Sequence, residues 1–375
     1  MTDPAPALFQ PIQVGDITLK HRVVLAPLTR YRADDTHVHG KLGLEYYTQR
    51  ASFPGTLLIT EGTFIAVKAG GMSNVPGIWS DEQVAGWKEI VNAVHARGCY
   101  IYLQLWALGR RARLDVLAKE GLHDAYISSS DIPEPGAEPK PKPRPLTIPE
   151  IKEYVQLYAT AASNAVHRAG FDGVEIHGAG GYLPDQFLQD VCNTRTDAYG
   201  GALENRCRFS LEITKACADA VGESRVGFRI SPWGHFGGMR ERDPKATFSY
   251  FLRRLRDQHP NLAYIHMIEP RTDGPATVKE VPEEDSNDFV REIWAPRPII
   301  SAGGYTRQMA YEAADKHGYL VAFGRYFIAN PDLPKRIAED VLWTRYNRKT
   351  FYVPKDPVGY IDYPFAAAAP AQSKL

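Results

Sequence analysis

The sequence predicts a closed (β/α)8 barrel, a TIM barrel, preceded by a β-hairpin that caps the barrel bottom. Three observations carry this expectation. Eight short apolar runs recur along the 375 residues, each separated from the next by a span long enough for a helix. The runs are apolar throughout rather than cleanly alternating, as strands covered on both faces are. The spans between them carry helix start and stop signals, and strands alternating with helices imply a parallel sheet. Eight such units fit a closed barrel better than an open doubly wound sheet.

In order, residues 9–20 (F-Q-P-I-Q-V-G-D-I-T-L-K) have apolar positions on either side of Gly15-Asp16 and read as the hairpin. The eight strand runs are 23–25, 56–60, 100–105, 173–177, 226–230, 263–268, 298–301 and 320–323. Ser80-Asp81 opens a helix over 84–96 with Gly98 beyond its end. Thr147 and Pro149 open another over 151–169 with Gly170 after it, and Pro331-Asp332 precedes the final helix. Such a barrel needs about 250 residues, so the surplus is inserted loop. The clearest insertion is 107–147, where prolines alternate with charged residues from Pro133 to Pro145; it follows the third strand and reads as a lid or rim. The core spans about 9–365 as one domain, with 366–375 as a flexible tail.

Lys plus Arg equals Asp plus Glu at 44 each, which gives no charge argument for nucleic acid or an anionic membrane. No apolar stretch approaches the roughly 20 residues of a membrane span, and the N-terminus lacks signal-peptide features, so the expectation is a soluble, non-secreted protein. Cys99, Cys192, Cys207 and Cys217 form no C-x-x-C pair and read as buried thiols. No metal site is expected, and His37-Val38-His39 reads as a coincidence in a polar loop. The terminal Ser373-Lys374-Leu375 matches the tripeptide read by the peroxisomal import receptor. Nothing in the sequence selects between monomer and homodimer.

In a barrel of this kind the residues just past each strand converge on one pocket. They are Ala26, Pro27, Leu28 and Thr29; Glu61 and Gly62; Gln104 and Trp106; His177 to Tyr182; Arg229 and Ser231-Pro232-Trp233; Glu269-Pro270-Arg271; Gly303-Gly304; and Gly324-Arg325. The last two pairs offer bare amides and one arginine, which together make a phosphate cradle. Across the pocket Thr29, Gln104 and Arg229 supply a hydroxyl, an amide and a guanidinium suited to the edge of a heterocycle. Gly178-Ala179-Gly180 follows a strand as a dinucleotide fingerprint would, but its sixth position is Leu183 and Pro184 follows, so that reading fails.

From about Phe9 to Phe365 the chain resembles the Old Yellow Enzymes, FMN-dependent ene-reductases that include fungal NADPH dehydrogenases and 12-oxophytodienoate reductases. The resemblance rests on R-V-V-L-A-P-L-T-R (22–30), E-Y-Y-T-Q-R-A (45–51), I-T-E-G (59–62), Q-L-W (104–106), N-T-R-T-D-A-Y-G-G (193–201) with E-N-R (204–206), and F-G-R-Y-F-I-A-N-P-D-L (323–333). It implies noncovalent FMN held by Ala26, Pro27, Thr29, Gly62, Gln104, His177 and Arg229, with its phosphate on Gly303, Gly304, Gly324 and Arg325. It also implies NADPH as hydride donor and an α,β-unsaturated carbonyl or nitro compound as acceptor, both using one pocket. Tyr182 matches the family's proton donor, Trp106 and Tyr352 line the substrate space, and residues 193–206 order a loop without a catalytic role. The family places an asparagine or histidine three residues after its first histidine, both donating to the substrate oxygen; here His177 is followed by Gly180. That departure leaves three expectations: an ene-reductase with altered carbonyl recognition, a redox-neutral isomerase or cyclase using the reduced flavin or the His177/Tyr182 pair, and a non-catalytic flavin-binding protein.

Overall fold

The computed structural model describes residues 6–136 and 141–367; Ser373-Lys374-Leu375 lies outside them. Eight strands, labelled β1 to β8, form the barrel: Val23–Leu25, Leu57–Ile59, Tyr100–Trp106, Gly173–Gly178, Val226–Ile230, Tyr264–Ile268, Ile299–Ala302 and Leu320–Phe323. All neighbours are parallel. β1 pairs with β2 with Val24 opposite Leu57, β2 with β3 with Leu58 opposite Ile101, and closure comes where β8 meets β1 with Ala322 opposite Val24.

The apolar runs have a simple cause, because each strand packs on both faces. Leu25, Leu58, Ile101, Leu103, Val174, Ile176 and Phe228 face outward into one buried cluster with the surrounding helices. Val24, Leu57, Ile59, Tyr102, Tyr264, Ile300 and Leu320 form a second cluster with Val14, Ile17 and Leu19 of the hairpin. The hairpin, Ile12–Val14 paired antiparallel with Ile17–Leu19, therefore plugs the barrel bottom. Two glycines admit the tyrosines of this plug: a Cβ on Gly173 would lie 2.5 Å from the Tyr102 ring, and one on Gly227 would lie 2.4 Å from Tyr264. The interior of the barrel is consequently filled at the hairpin end.

The helices start where their caps dictate. Ser80 accepts from the N–H of Gln83, whose side chain returns to the cap, at the head of Asp81–His95. Thr147 and Glu150 make the same reciprocal pair at the head of Ile148–Ser163. The latter segment was expected as one helix over 151–169; it changes to a π-turn at Asn164–Ala169, ending before Gly170. The insertion after β3 contains a helix, Leu114–Lys119, and a two-strand parallel pairing of Ile127–Ser128 with Arg144–Pro145. Within 193–206, Asn193 donates to the carbonyls of Phe187 and Tyr199, while Arg195 pairs with Asp197 and donates to Ser129 and Leu146 carbonyls. Through the Ser129 and Leu146 carbonyls this run ties the insertion to the barrel. One reading needs correction: His37 and His39 are both buried rather than in a polar loop. His37 bonds to the Val75 carbonyl, and His39 packs edge-on to Trp87 beside Glu61. The four cysteines are buried and free.

Candidate active site at the C-terminal end of the barrel

Above the apolar plug the inward positions become polar. Gln104 of β3, Glu175 of β4 and His266 of β6 are all buried, and Arg229 of β5 stands beside them. Gln104 donates from Nε2 to Glu175 Oε1 at 2.7 Å, and His266 Nδ1 meets Glu175 Oε2 at 2.8 Å. Burial alone would raise the Glu175 carboxyl, but His266, Arg229 and the hydrogen bond from Gln104 outweigh it and hold it below the usual carboxylate range. Burial pulls His266 down more than Glu175 pushes it up. The layer is thus an ionised carboxylate near a guanidinium, with Arg229 Nε buried and unpartnered among the described residues.

Two residues nearer the mouth than Glu175, His177 stands one residue before the end of β4, and the chain then reverses through Gly180 and Gly181, whose φ values of +66° and +74° lie in the left-handed region. The reversal is pinned at four points. The Gly180 N–H donates to Ser231 Oγ at 2.8 Å, Arg111 donates to the Gly180 carbonyl at 2.7 Å, the Gly181 N–H donates to Asp185, and Gln186 donates to the Gly181 carbonyl. The loop thereby places Tyr182 edge-on to His177 and to Trp106, each with centroids 4.8 Å apart, while Trp106 stacks on Phe64. Burial, with Arg229, His266 and Arg111 adding to it, drives His177 well below the ordinary histidine range. A neutral ring has one N–H to give, and its Nδ1 is buried without a partner among the described residues. Burial pushes the Tyr182 hydroxyl up to about 12 despite Arg111, so it stays protonated at neutral pH. The pair therefore presents two neutral donors side by side.

Gly303, Gly304, Gly324 and Arg325, from which a phosphate cradle is expected, lie together at the ends of β7 and β8. Gly303 and Gly304 have φ of +142° and +65°, and their N–H groups donate to no described residue. A Cβ on Gly303 would press within 2.8 Å of Glu269, whereas one on Gly304 would be 3.7 Å from Arg325 Nη2, so the guanidinium stands next to the bare amides. Arg325 donates to Thr277 Oγ1 at 3.0 Å, and Arg271 donates to the Gly303 carbonyl. Gly62 lacks a side chain because Trp106 would lie 2.5 Å from its Cβ, and Gly324 abuts Leu28. The Ala26 N–H is consumed by the Phe323 carbonyl, Pro27 is buried, and Thr29 is partly buried, its hydroxyl without a partner among the described residues. An FMN fits this donor set: unpaired amides and Arg325 for its phosphate, Arg229 and Gln104 for its heterocycle, and Thr29 along the way. Tyr352 is 50% exposed and packs on Tyr31 at the rim, near enough to Tyr182 to bear on its hydroxyl.

Sequence reasoning did not single out Arg111, Glu175 and His266. Arg111 comes from the insertion, lies over the Phe236 and Tyr182 rings at 4.0 and 5.0 Å, and faces Glu134. Its neighbour Arg110 donates to the carbonyls of Ile132, Pro133 and Gly237, so consecutive arginines bolt the insertion to the loop after β5. The doublet directly past the third strand was the available signal.

A family model described as the NADH:flavin oxidoreductase / NADH oxidase family matches residues 7–342. The chain is 50% identical over 364 residues to a chanoclavine-I aldehyde reductase of Penicillium roqueforti, covering 96% of both chains. It is 48% identical over 366 residues to a probable inactive dehydrogenase of Claviceps fusiformis, covering 96% of this chain and 94% of that one. Among solved structures, the Old Yellow Enzyme from Pichia sp. AKU4542 superposes with a TM-score of 0.88 at 36% identity, covering 98% of this chain and 96% of the other.

Proposed function

The chain belongs to the NADH:flavin oxidoreductase / NADH oxidase family, the Old Yellow Enzymes, and is an FMN-dependent NAD(P)H oxidoreductase; from that premise we propose that it reduces the activated C=C bond of an α,β-unsaturated carbonyl or nitro compound at the expense of NADPH. The observation that carries this reading is the neutral His177 and protonated Tyr182 held 4.8 Å apart at the end of β4. Bound FMN supplies the hydride carrier between the nicotinamide and the substrate β-carbon. The residues do the rest. His177 gives its N–H to the substrate oxygen as negative charge collects there, which a preorganised donor stabilises. Tyr182 delivers the proton to the α-carbon, completing addition of one hydride and one proton across the double bond. Arg229, on β5 next to His177 and within electrostatic reach of Glu175, would favour negative charge at the pyrimidine edge of a bound flavin. Trp106 forms the wall.

Gly180 leaves open the space in which a second donor would stand, and this favours a bulkier substrate than a simple enone. The Penicillium relative is named for an aldehyde substrate, so a large α,β-unsaturated aldehyde is the first class to test. Counting NADPH consumed against saturated product formed decides it. One per product supports reduction, while product without NADPH consumption marks an isomerase or cyclase. A second reading, a flavin-binding protein without turnover, is favoured by the likeness to a probable inactive dehydrogenase; no turnover of any enal or enone would select it. The terminal Ser373-Lys374-Leu375 supports import into peroxisomes by the receptor for that tripeptide. An N-terminal fluorescent fusion that stays diffuse with the tail present would refute this.

A further inference from the structure

Glu175 and His266 take no direct part in the chemistry above, yet they are among the most completely buried polar groups in the barrel, each with no exposed surface. An ionised carboxylate has only acceptors to offer. The end of Gln104 that meets Glu175 Oε1 at 2.7 Å is therefore its NH2 group, and the amide oxygen is turned away. That oxygen accepts no hydrogen bond from any described residue. The reverse orientation would set a carbonyl against a carboxylate with no proton between them. Glu175 cannot swing aside, because its other oxygen meets His266 Nδ1 at 2.8 Å, and residues of β3, β4 and β5 lock the register: Gln104 lies opposite Glu175, and Glu175 opposite Gly227. We infer that Glu175 is a positioning residue that fixes the Gln104 side chain with its carbonyl oxygen toward the cofactor pocket. The pocket floor then offers an acceptor from Gln104 next to donors from Arg229, a pattern complementary to the imide edge of a flavin, where an N–H stands between two carbonyls. The inference rests on the FMN reading and adds to it a rule for selection: a ligand bearing an imide N–H is accepted, and one alkylated at that nitrogen is rejected.

The direct test is a partition experiment. Purified holoenzyme is exchanged against an equimolar mixture of FMN and 3-methyl-FMN and desalted, and the retained flavins are released and quantified. Wild type retains FMN over the methylated form by roughly 100-fold, since a site built to bond an N–H is left with an unpaired acceptor by its methyl analogue. In Glu175→Gln the neighbour of Gln104 offers either a donor or an acceptor, so the amide is no longer held one way and the preference falls to within a few-fold of unity. Should that variant not accumulate as folded protein, Glu175→Met removes every polar atom and gives the same collapse. A variant that binds both flavins more weakly but keeps the wild-type preference would overturn the inference and leave Glu175 as packing only. A wild type that retains neither flavin would remove the FMN reading and this inference with it, whereas undiminished preference in the variants removes the inference alone.

Discussion

On the proposed reading Gly180→Asn supplies a second donor to the substrate oxygen, and the surroundings of Gly180 set what the change costs. At φ of +66° the backbone is one that asparagine tolerates better than most residues. A Cβ there would sit 3.5 and 3.8 Å from carbons of the Tyr182 ring and 4.0 Å from Phe236, ordinary contact distances that require no rearrangement. The bonds that pin this residue, to Ser231 Oγ and from Arg111, use its backbone and survive the change. The cost in stability is thus about 1–2 kcal/mol, from the left-handed backbone alone. The gain is a second N–H on an oxygen acquiring charge, about 1.5–3 kcal/mol for a hydrogen bond to a charged group, or about 10- to 100-fold in kcat/KM for a small enone such as cyclohexenone. Turnover of a bulky enal falls, because the amide fills the space it would use. Gly180→Ala separates the two effects: it adds the Cβ without the donor and leaves cyclohexenone turnover unchanged. Steady-state kinetics on both substrates, with flavin content measured in parallel, give the comparison. If Gly180→Asn keeps its FMN and does not change the cyclohexenone rate, a backbone amide of the loop already meets the oxygen and no donor is missing.

Tyr182→Phe slows the enone-dependent half-reaction by about 10²- to 10⁴-fold while leaving reduction by NADPH nearly unchanged, since only the former needs a proton at carbon; equal rates in stopped flow would assign that proton to solvent. Arg325→Ala weakens FMN retention by about 10- to 100-fold through loss of a charge-assisted partner for the phosphate, read as flavin content after gel filtration; unchanged content would move the phosphate elsewhere. His21 is buried beneath the barrel, its Nε2 bonding to Thr56 Oγ1 and its Nδ1 accepting from the Val23 N–H. Burial lowers it from 6.5 to about 4. The unfolded chain therefore binds a proton that the folded chain refuses between those values, and His21 makes stability, complete above about pH 6.5, fall by on the order of 3 kcal/mol as pH drops to about 4. Denaturant titrations across that window show a slope shallower by nearly one proton in His21→Gln, and an identical slope would refute the assignment.

The barrel was legible because each strand is apolar on both faces, and the hairpin because Gly15-Asp16 sits between alternating apolar residues. His177, Tyr182 and Trp106 were legible as residues at strand ends. Glu175 was not, although it lies two residues before His177 on the same inward face. A carboxylate inside a strand run reads as solvent-facing, and only closure of the barrel brings it against Gln104, 71 residues earlier, and His266, 91 residues later. His37 and His39 were misread for the same reason, since Val75 and Glu61, their partners, are distant in the chain. Arg111 belongs to an insertion whose composition revealed a loop but not which of its side chains returns to the pocket.

The account is tested most directly by following flavin absorbance in the purified protein under anaerobic conditions, first with NADPH and then with an α,β-unsaturated aldehyde. It predicts a yellow protein that bleaches on NADPH, recovers its colour on addition of the aldehyde and yields one saturated product per flavin reoxidised. A protein that bleaches but stays colourless with every enal and enone, or one that never holds FMN, would contradict it.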